Sequence, residues 1–161
     1  MKRLLVLRHA KSEYIHGIKD HSRGINSRGK NDSKLIGDWL KANIKKPELI
    51  ICSTATRTRM TLGIILKETG WDSKTEFNDT LYLPIVADVL EVLKDKPTNL
   101  ESILVVGHNF GFTDLINYLS YNTLDNLPTC GFAEFSIDKA WDDLVMHKFD
   151  LASFKTPKQL K

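Results

Sequence analysis

Three short polar clusters in this chain each follow directly on an apolar run: Arg8-His9 after Leu4 to Leu7, Ser53 to Arg57 after Leu49 to Cys52, and Gly107-His108-Asn109 after Ile103 to Val106. Between them they carry two arginines and two histidines. Arginine presents a planar fork of donors that matches the oxygens of a doubly charged oxyanion, so phosphate is the natural ligand if these clusters meet. A histidine placed there can act as a nucleophile toward phosphorus, because an ordinary pKa near ~6.5 leaves much of the imidazole neutral. A second histidine, when protonated, would donate to an equatorial phosphoryl oxygen and help the arginines neutralise charge in the transition state.

The apolar runs are what would bring the clusters together. Arg3 to Leu7, Leu49 to Cys52 and Ser102 to Val106 read as buried strands. Leu35, Ile36, Trp39, Leu40 and Ile44 fall at helical spacing and predict an amphipathic helix from about Ser27 to Ile44, with Asn26 or Ser27 as N-cap. Met60, Leu62, Ile65 and Leu66 mark a second helix running to Gly70, and Phe110 to Leu119 carries the spacing of a third. Lys11 to Gly29 reads as a loop, Lys74 to Phe77 as a short strand and Ile85 to Leu93 as a helix. Phe132 to Ile137 and Leu144 to Phe149 predict two strands of an antiparallel edge around Asp138 to Asp142.

Strands alternating with helices imply a three-layer α/β/α domain with a mainly parallel sheet over residues 1–151, followed by a frayed C-terminal tail at 152–161. In such sheets ligands bind just beyond the C-terminal ends of the strands, which is where all three clusters fall. The helices after Ser53 and Asn109 would also aim free backbone N–H groups at that edge.

Composition narrows the function classes. At 161 residues, 42% hydrophobic and 27% charged, the chain reads as one soluble globular domain. No apolar run approaches the roughly 18 to 20 residues of a membrane span, and the N-terminal run is too short for a signal peptide. Cys52 and Cys130 lack metal-ligand spacing and are too few for a disulfide scaffold, which favours reduced thiols in a cytoplasm. The net charge of +3, from 23 basic and 20 acidic residues spread along the chain, disfavours nucleic acid as a partner. Cys52 is a poor nucleophile candidate: four residues separate it from Arg57 where cysteine phosphatases place five, and its apolar run would raise the thiol pKa. His16, His21 and His147 fit no ligand or nucleophile pattern and are expected at the surface, while Trp39, Trp71 and Trp141 are expected to pack.

The clusters also carry a resemblance. Leu7-Arg8-His9-Ala10-Lys11-Ser12 is similar to the Arg-His-Gly/Ala motif of the histidine phosphatase superfamily, also called phosphoglycerate mutase-like. Ser53-Thr54-Ala55-Thr56-Arg57-Thr58-Arg59-Met60-Thr61 resembles its Ser-Pro-x-x-Arg-Ala-x-x-Thr block, and Gly107-His108-Asn109 its Gly-His-Asn/Glu block. The small size, an Arg23 to Gly29 segment resembling an Arg-Pro-Leu-x-x-x-Gly block, and Leu127-Pro128-Thr129-Cys130-Gly131 look most like the SixA branch of bacterial phosphohistidine phosphatases. Such blocks in order, over nearly the whole chain, are far more specific than any one of them.

The resemblance implies a phosphoglycerate mutase-like fold and a phosphate pocket of Arg8, His9, Arg57 and His108, with His9 the nucleophile and no metal or other cofactor. Arg23, Ser12 and Asn109 are further candidates for substrate binding. Three positions depart from the pattern: Thr54 stands where proline is usual, Thr58 where alanine is usual, and Phe110 where the SixA branch commonly has proline.

There is little room for a lid between Gly70 and His108, so the site is expected to be open and suited to a side chain displayed on another protein. A phosphorylated imidazole carrying a proton on its other nitrogen leaves as a neutral molecule, whereas an alkoxide needs a general acid. The expected substrate is therefore phosphohistidine on a phosphorelay-type protein domain, releasing inorganic phosphate. Glu13, Asp20 and Asp79 remain as possible acids. The alternatives are a phosphatase for small phosphate esters and a non-catalytic phosphate-binding module.

Overall fold

Apolar side chains point to both faces of one six-stranded sheet, and helices cover both faces. The computed structural model describes residues 1–161. In chain order the elements are β1 (Lys2–Arg8), α1 (Ser27–Asn43), β2 (Leu49–Cys52), α2 (Thr56–Thr69), β3 (Lys74–Phe77), α3 (Val86–Lys94), β4 (Ser102–Gly107), α4 (Gly111–Leu119), β5 (Phe132–Ile137) and β6 (Asp150–Lys155). Short 3-10 turns occupy Asp20–Ser22, Asp79–Leu81 and Pro157–Leu160.

The strand order is β3-β2-β4-β1-β5-β6. The first four strands in that order run parallel to one another, and β5 and β6 add an antiparallel edge. Alternation along the strands separates two cores. Leu5, Leu7, Ile50, Cys52, Leu104 and Val106 meet α1 and α2 through Ile36, Leu40, Leu62 and Ile65. Leu4, Val6, Ile51, Ile103 and Val105 meet α3 and α4 through Val89, Leu93, Phe112 and Leu115. Each such side chain, fully buried, stabilises the fold by about 1.5–3 kcal/mol. The result is the expected three-layer α/β/α arrangement.

Local chemistry sets the helix ends. The Asn26 side chain accepts the Gly29 N–H at 2.9 Å and starts α1. Gly70, at φ +73°, ends α2 in a left-handed conformation that favours glycine.

The C-terminal region departs from expectation. Leu144 to Phe149 is not a strand: Trp141, Leu144 and Phe149 are buried at spacings of three and five, not the two a strand requires, and Val145 and Met146 are exposed. The second antiparallel strand is instead Asp150–Lys155, whose partly exposed edge position gives a weak apolar pattern. The boundary expected at 151/152 therefore falls inside β6. The expected frayed tail continues into the 3-10 turn Pro157–Leu160, with Leu160 packed against the α1/α2 core and Lys161 Nζ 2.9 Å from buried Asp32 Oδ1.

Candidate active site

Register brings the two histidines side by side. Arg8 pairs with Gly107 across β1 and β4, so His9 and His108 leave the sheet at the same level, with ring centroids 5.3 Å apart. The backbone of His9 is pinned from both neighbours: its N–H donates to Gly107 O at 3.0 Å and its carbonyl accepts from Cys130 N at 2.9 Å. Cys52 of β2 pairs with Val106, which sets Ser53 and the start of α2 against the same edge. Arg57 follows in the first turn of α2.

Arg8, His9, Arg57 and His108 line a cavity of about 280 Å³ together with Lys11, Ser12, Asp20, Arg23, Leu83, Asn109 and Thr129. His9, Arg57 and His108 are 7%, 3% and 1% exposed, so their polar atoms need partners. Three buried atoms of the cluster have none: Arg8 Nε, Arg57 Nε and His108 Nδ1. An oxyanion seated among these residues would supply acceptors for them.

The carbonyl beside His9 defines the hydrogen-bonding state of that ring. His9 Nδ1 lies 2.7 Å from the Ala10 carbonyl oxygen, which can only accept; Nδ1 therefore carries the proton and Nε2 keeps its lone pair. Burial, and after it the charges of Arg57, Arg8 and Arg23, pushes His9 down to about 4 against the opposing pull of the Ala10 bond. Burial, then His9 and Arg57, pushes His108 down to about 3. Both rings are thus neutral in the unliganded site, and a phosphate dianion beside them would raise both. His108 Nε2 sits 2.8 Å from Ser53 Oγ. If the Ser53 hydroxyl donates there, even a neutral His108 offers an Nδ1–H to the cavity.

The arginines are held in place by hydrogen bonds to protein groups. Arg8 Nη1 donates to Leu127 O at 2.8 Å. Arg57 donates to Asp20 O at 2.7 Å and to Asp20 Oδ2 at 3.1 Å. Arg23 donates from Nε and Nη2 to Asp20 Oδ1 and from Nη1 to Ser12 Oγ at 2.8 Å, and the Tyr82 hydroxyl donates to Asp20 Oδ2. Tyr82 foremost, then both arginines, holds the Asp20 carboxyl far below the usual carboxylate range despite partial desolvation.

All seven residues singled out from the sequence, Arg8, His9, Ser12, Arg23, Arg57, His108 and Asn109, line this one cavity. Asn109 uses its side chain internally: Oδ1 accepts from Thr113 N and Oγ1, and Nδ2 donates to Asn126 Oδ1 at 2.6 Å. Three of the amides at the start of α4, expected to point at the ligand, are also consumed: Phe112 N by His108 O, Thr113 N by Asn109 Oδ1 and Asp114 N by Phe110 O.

Of the three candidate acids only Asp20 lines the cavity; Asp79 accepts from the Thr54 hydroxyl and Glu13 lies by a neighbouring depression. His21 is not a free surface residue, for its Nε2 lies 2.9 Å from Thr54 Oγ1 and its ring packs edge-on against Tyr82. Thr58 is tolerated where alanine is usual because its buried hydroxyl donates to Ser53 O and Ala55 O.

Sequence reasoning missed Tyr82, Lys11 and the orienting role of Ser53. The Tyr82 ring stands edge-on to His108, with centroids 5.3 Å apart, and it sits in a segment without a recognisable motif. Cys52 and Cys130 are buried with thiols pushed up to about 12 by desolvation. No group of three or more His, Cys, Asp or Glu side chains is arranged to hold a metal ion, and no helix is long and apolar enough to cross a membrane.

No family model matches the chain. An uncharacterised protein of Mycobacterium tuberculosis is 32% identical over 162 residues, spanning 94% of this chain and all of the relative. Among solved structures, one provisionally assigned as the phosphohistidine phosphatase SixA of Nakamurella multipartitia superposes with a TM-score of 0.85 at 25% identity, covering 97% of this chain and 96% of that one. The protein histidine phosphatase SixA complexed with tungstate superposes with a TM-score of 0.84 at 22% identity, covering 99% of both chains, and shows the shared fold.

Proposed function

We propose that this chain, whose fold and site match the SixA-like branch of the histidine phosphatase superfamily, is a phosphatase working through a covalent phosphohistidine on His9. The observation that carries this reading is the His9 tautomer. With Nδ1–H committed to Ala10 O, the nucleophilic lone pair on Nε2 is left among two arginines and a second histidine.

In the first step His9 Nε2 forms a bond to phosphorus as the substrate's bond to phosphorus breaks, and the electron pair leaves with the departing group. Arg8, Arg57 and His108 take up charge spread over the three equatorial oxygens. In the second step water attacks phosphorus, the bond to His9 breaks with its pair returning to Nε2, and the water proton leaves with inorganic phosphate. The chemistry asks for no metal.

The substrate class follows from the leaving group. Asp20, the one candidate acid in the cavity, is held ionised by Tyr82, Arg23 and Arg57, and so carries no proton for a departing alkoxide. Imidazole protonated on its distal nitrogen needs none. The proposed substrate is phosphohistidine on a phosphorelay-type protein domain, with phosphate esters disfavoured.

Comparing kcat/KM for a histidine-phosphorylated phosphotransfer domain with that for a panel of sugar phosphates tests this. A large preference for the phosphorylated domain is expected. A preference for the esters overturns the substrate, and tight phosphate binding without turnover of either leaves only a binding module.

A further inference from the structure

Eleven large apolar side chains are substantially exposed, and six of them stand on three segments that also supply lining residues of the phosphate cavity. Tyr14, Ile15 and Ile18 project from the loop between β1 and α1, at 80%, 50% and 46% exposure. That loop is a built excursion, not a loose one: Ser12 bridges Ile25, Glu13 N donates to Gly24 O, and Arg23 ties its base to Ser12 Oγ and Glu13 O.

The other three are Leu83 and Ile85, from the segment before α3, and Phe110, from the start of α4, which is 77% exposed. These two segments touch. A Cβ on Gly111 would fall 2.0 Å from Pro84 O, so only glycine lets the Pro84 backbone lie this close beside Phe110. Leu83 lines the cavity itself and holds φ +47°, a costly conformation for leucine.

Single exposed apolar residues need no explanation, but a cluster rimming a polar pocket marks a contact surface. The pocket adds a constraint. At about 280 Å³ it is small, and with His9 only 7% exposed the phosphoryl group must be delivered into a recess. A protein that carries that group lies outside the recess, against the rim.

Building on the proposed function, we infer that Tyr14, Ile15 and Ile18 on one side and Leu83, Ile85 and Phe110 on the other form a docking face for the folded protein that bears the phosphohistidine. The occupant is a protein surface on which apolar side chains surround the modified histidine. Affinity comes from the rim, while phosphoryl recognition stays in the pocket. The pocket alone therefore turns over a small P–N compound with high KM, and the rim lowers KM only for the protein.

The test uses two rim variants, Ile85→Ser/Phe110→Ser and Tyr14→Ser/Ile18→Ser, all four side chains being exposed and outside the phosphate cavity. Two probes are compared, phosphoramidate and a histidine-phosphorylated phosphotransfer domain. The expected result is a rise in KM of about tenfold or more for the phosphorylated domain in each variant, with phosphoramidate turnover within about twofold of wild type. Unchanged KM for the domain in both variants, or an equal loss with both probes, overturns the docking face while leaving the phosphatase reading standing. Failure of the wild-type protein to hydrolyse either probe overturns the phosphatase reading and the docking face together.

Discussion

Asp20 grips Arg57 twice, through its carbonyl oxygen at 2.7 Å and its carboxylate Oδ2 at 3.1 Å, and so fixes an arginine of the cavity from a loop 37 residues away in sequence. The same carboxylate gathers Arg23 and Tyr82. It also places a negative charge beside the seat of a dianion. Asp20→Asn should therefore bind vanadate about three- to tenfold more tightly, the exposed carboxylate being partly screened, yet lower kcat because the arginines lose their anchor. Inhibition and turnover assays on the same preparation check both signs; unchanged vanadate affinity would show that Asp20 does not face the anion.

Ser53 is the one hydrogen-bonding partner of the His108 ring, 2.8 Å from its Nε2. Ser53→Ala leaves a buried imidazole nitrogen unsatisfied, at a cost of about 1–3 kcal/mol in stability. It also frees the ring to take the tautomer that presents no Nδ1–H to substrate. Denaturant unfolding should show the loss of stability, and kcat should fall more than KM rises. An unaltered kcat would mean that His108 does not depend on Ser53 for its orientation.

Burial holds His9 at about 4 and His108 at about 3, below the unfolded value near ~6.5. Between those values the unfolded chain binds protons that the folded chain does not. Stability therefore rises with pH from about 3, through His108, and more steeply from about 4, where His9 adds to it, up to about 6.5, and is fully present above that. Thermal unfolding from pH 4 to 8 should show this slope in the phosphate-free protein, and His108→Asn should flatten part of it. A melting temperature that is level across this range, or a slope that His108→Asn leaves untouched, contradicts the assignment.

Cys52 and Cys130 are buried with thiols held near pKa 12, so neither is a thiolate at working pH. Iodoacetamide should leave both unmodified in the folded protein, and Cys52→Ala should keep activity. Inactivation by the reagent, with protection by phosphate, would reopen the cysteine mechanism. EDTA should likewise leave turnover unchanged; loss restored by Mg²⁺ or Zn²⁺ would require a metal.

Much of the site was legible because its parts are short and local: three apolar runs, each ending in a polar cluster, and a parallel sheet that aligns their C-terminal ends. The pairing of Arg8 with Gly107 converts that linear pattern into adjacent imidazoles. What could not be read was whatever depends on long-range side-chain contact. Tyr82 looks like any loop tyrosine until its hydroxyl meets Asp20 and its ring meets His108. The second antiparallel strand was misplaced because Leu144 and Phe149 supply apolar character from a loop, while β6 itself, at an edge, has a weak pattern. Nor does the sequence show that the Asn109 side chain, beside the cavity, also accepts from Thr113 N in the first turn of α4 and ties the Asn126 loop.

The central claim is that phosphorus becomes bonded to His9. Rapid mixing with a ³²P-labelled phosphohistidine domain, a denaturing alkaline quench within milliseconds and peptide mapping test it directly. The account predicts an acid-labile, base-stable label on His9 that appears and decays during a single turnover and is absent from His9→Ala. Label on another residue, or phosphate release by the wild-type protein with no label at any quench time, would contradict it.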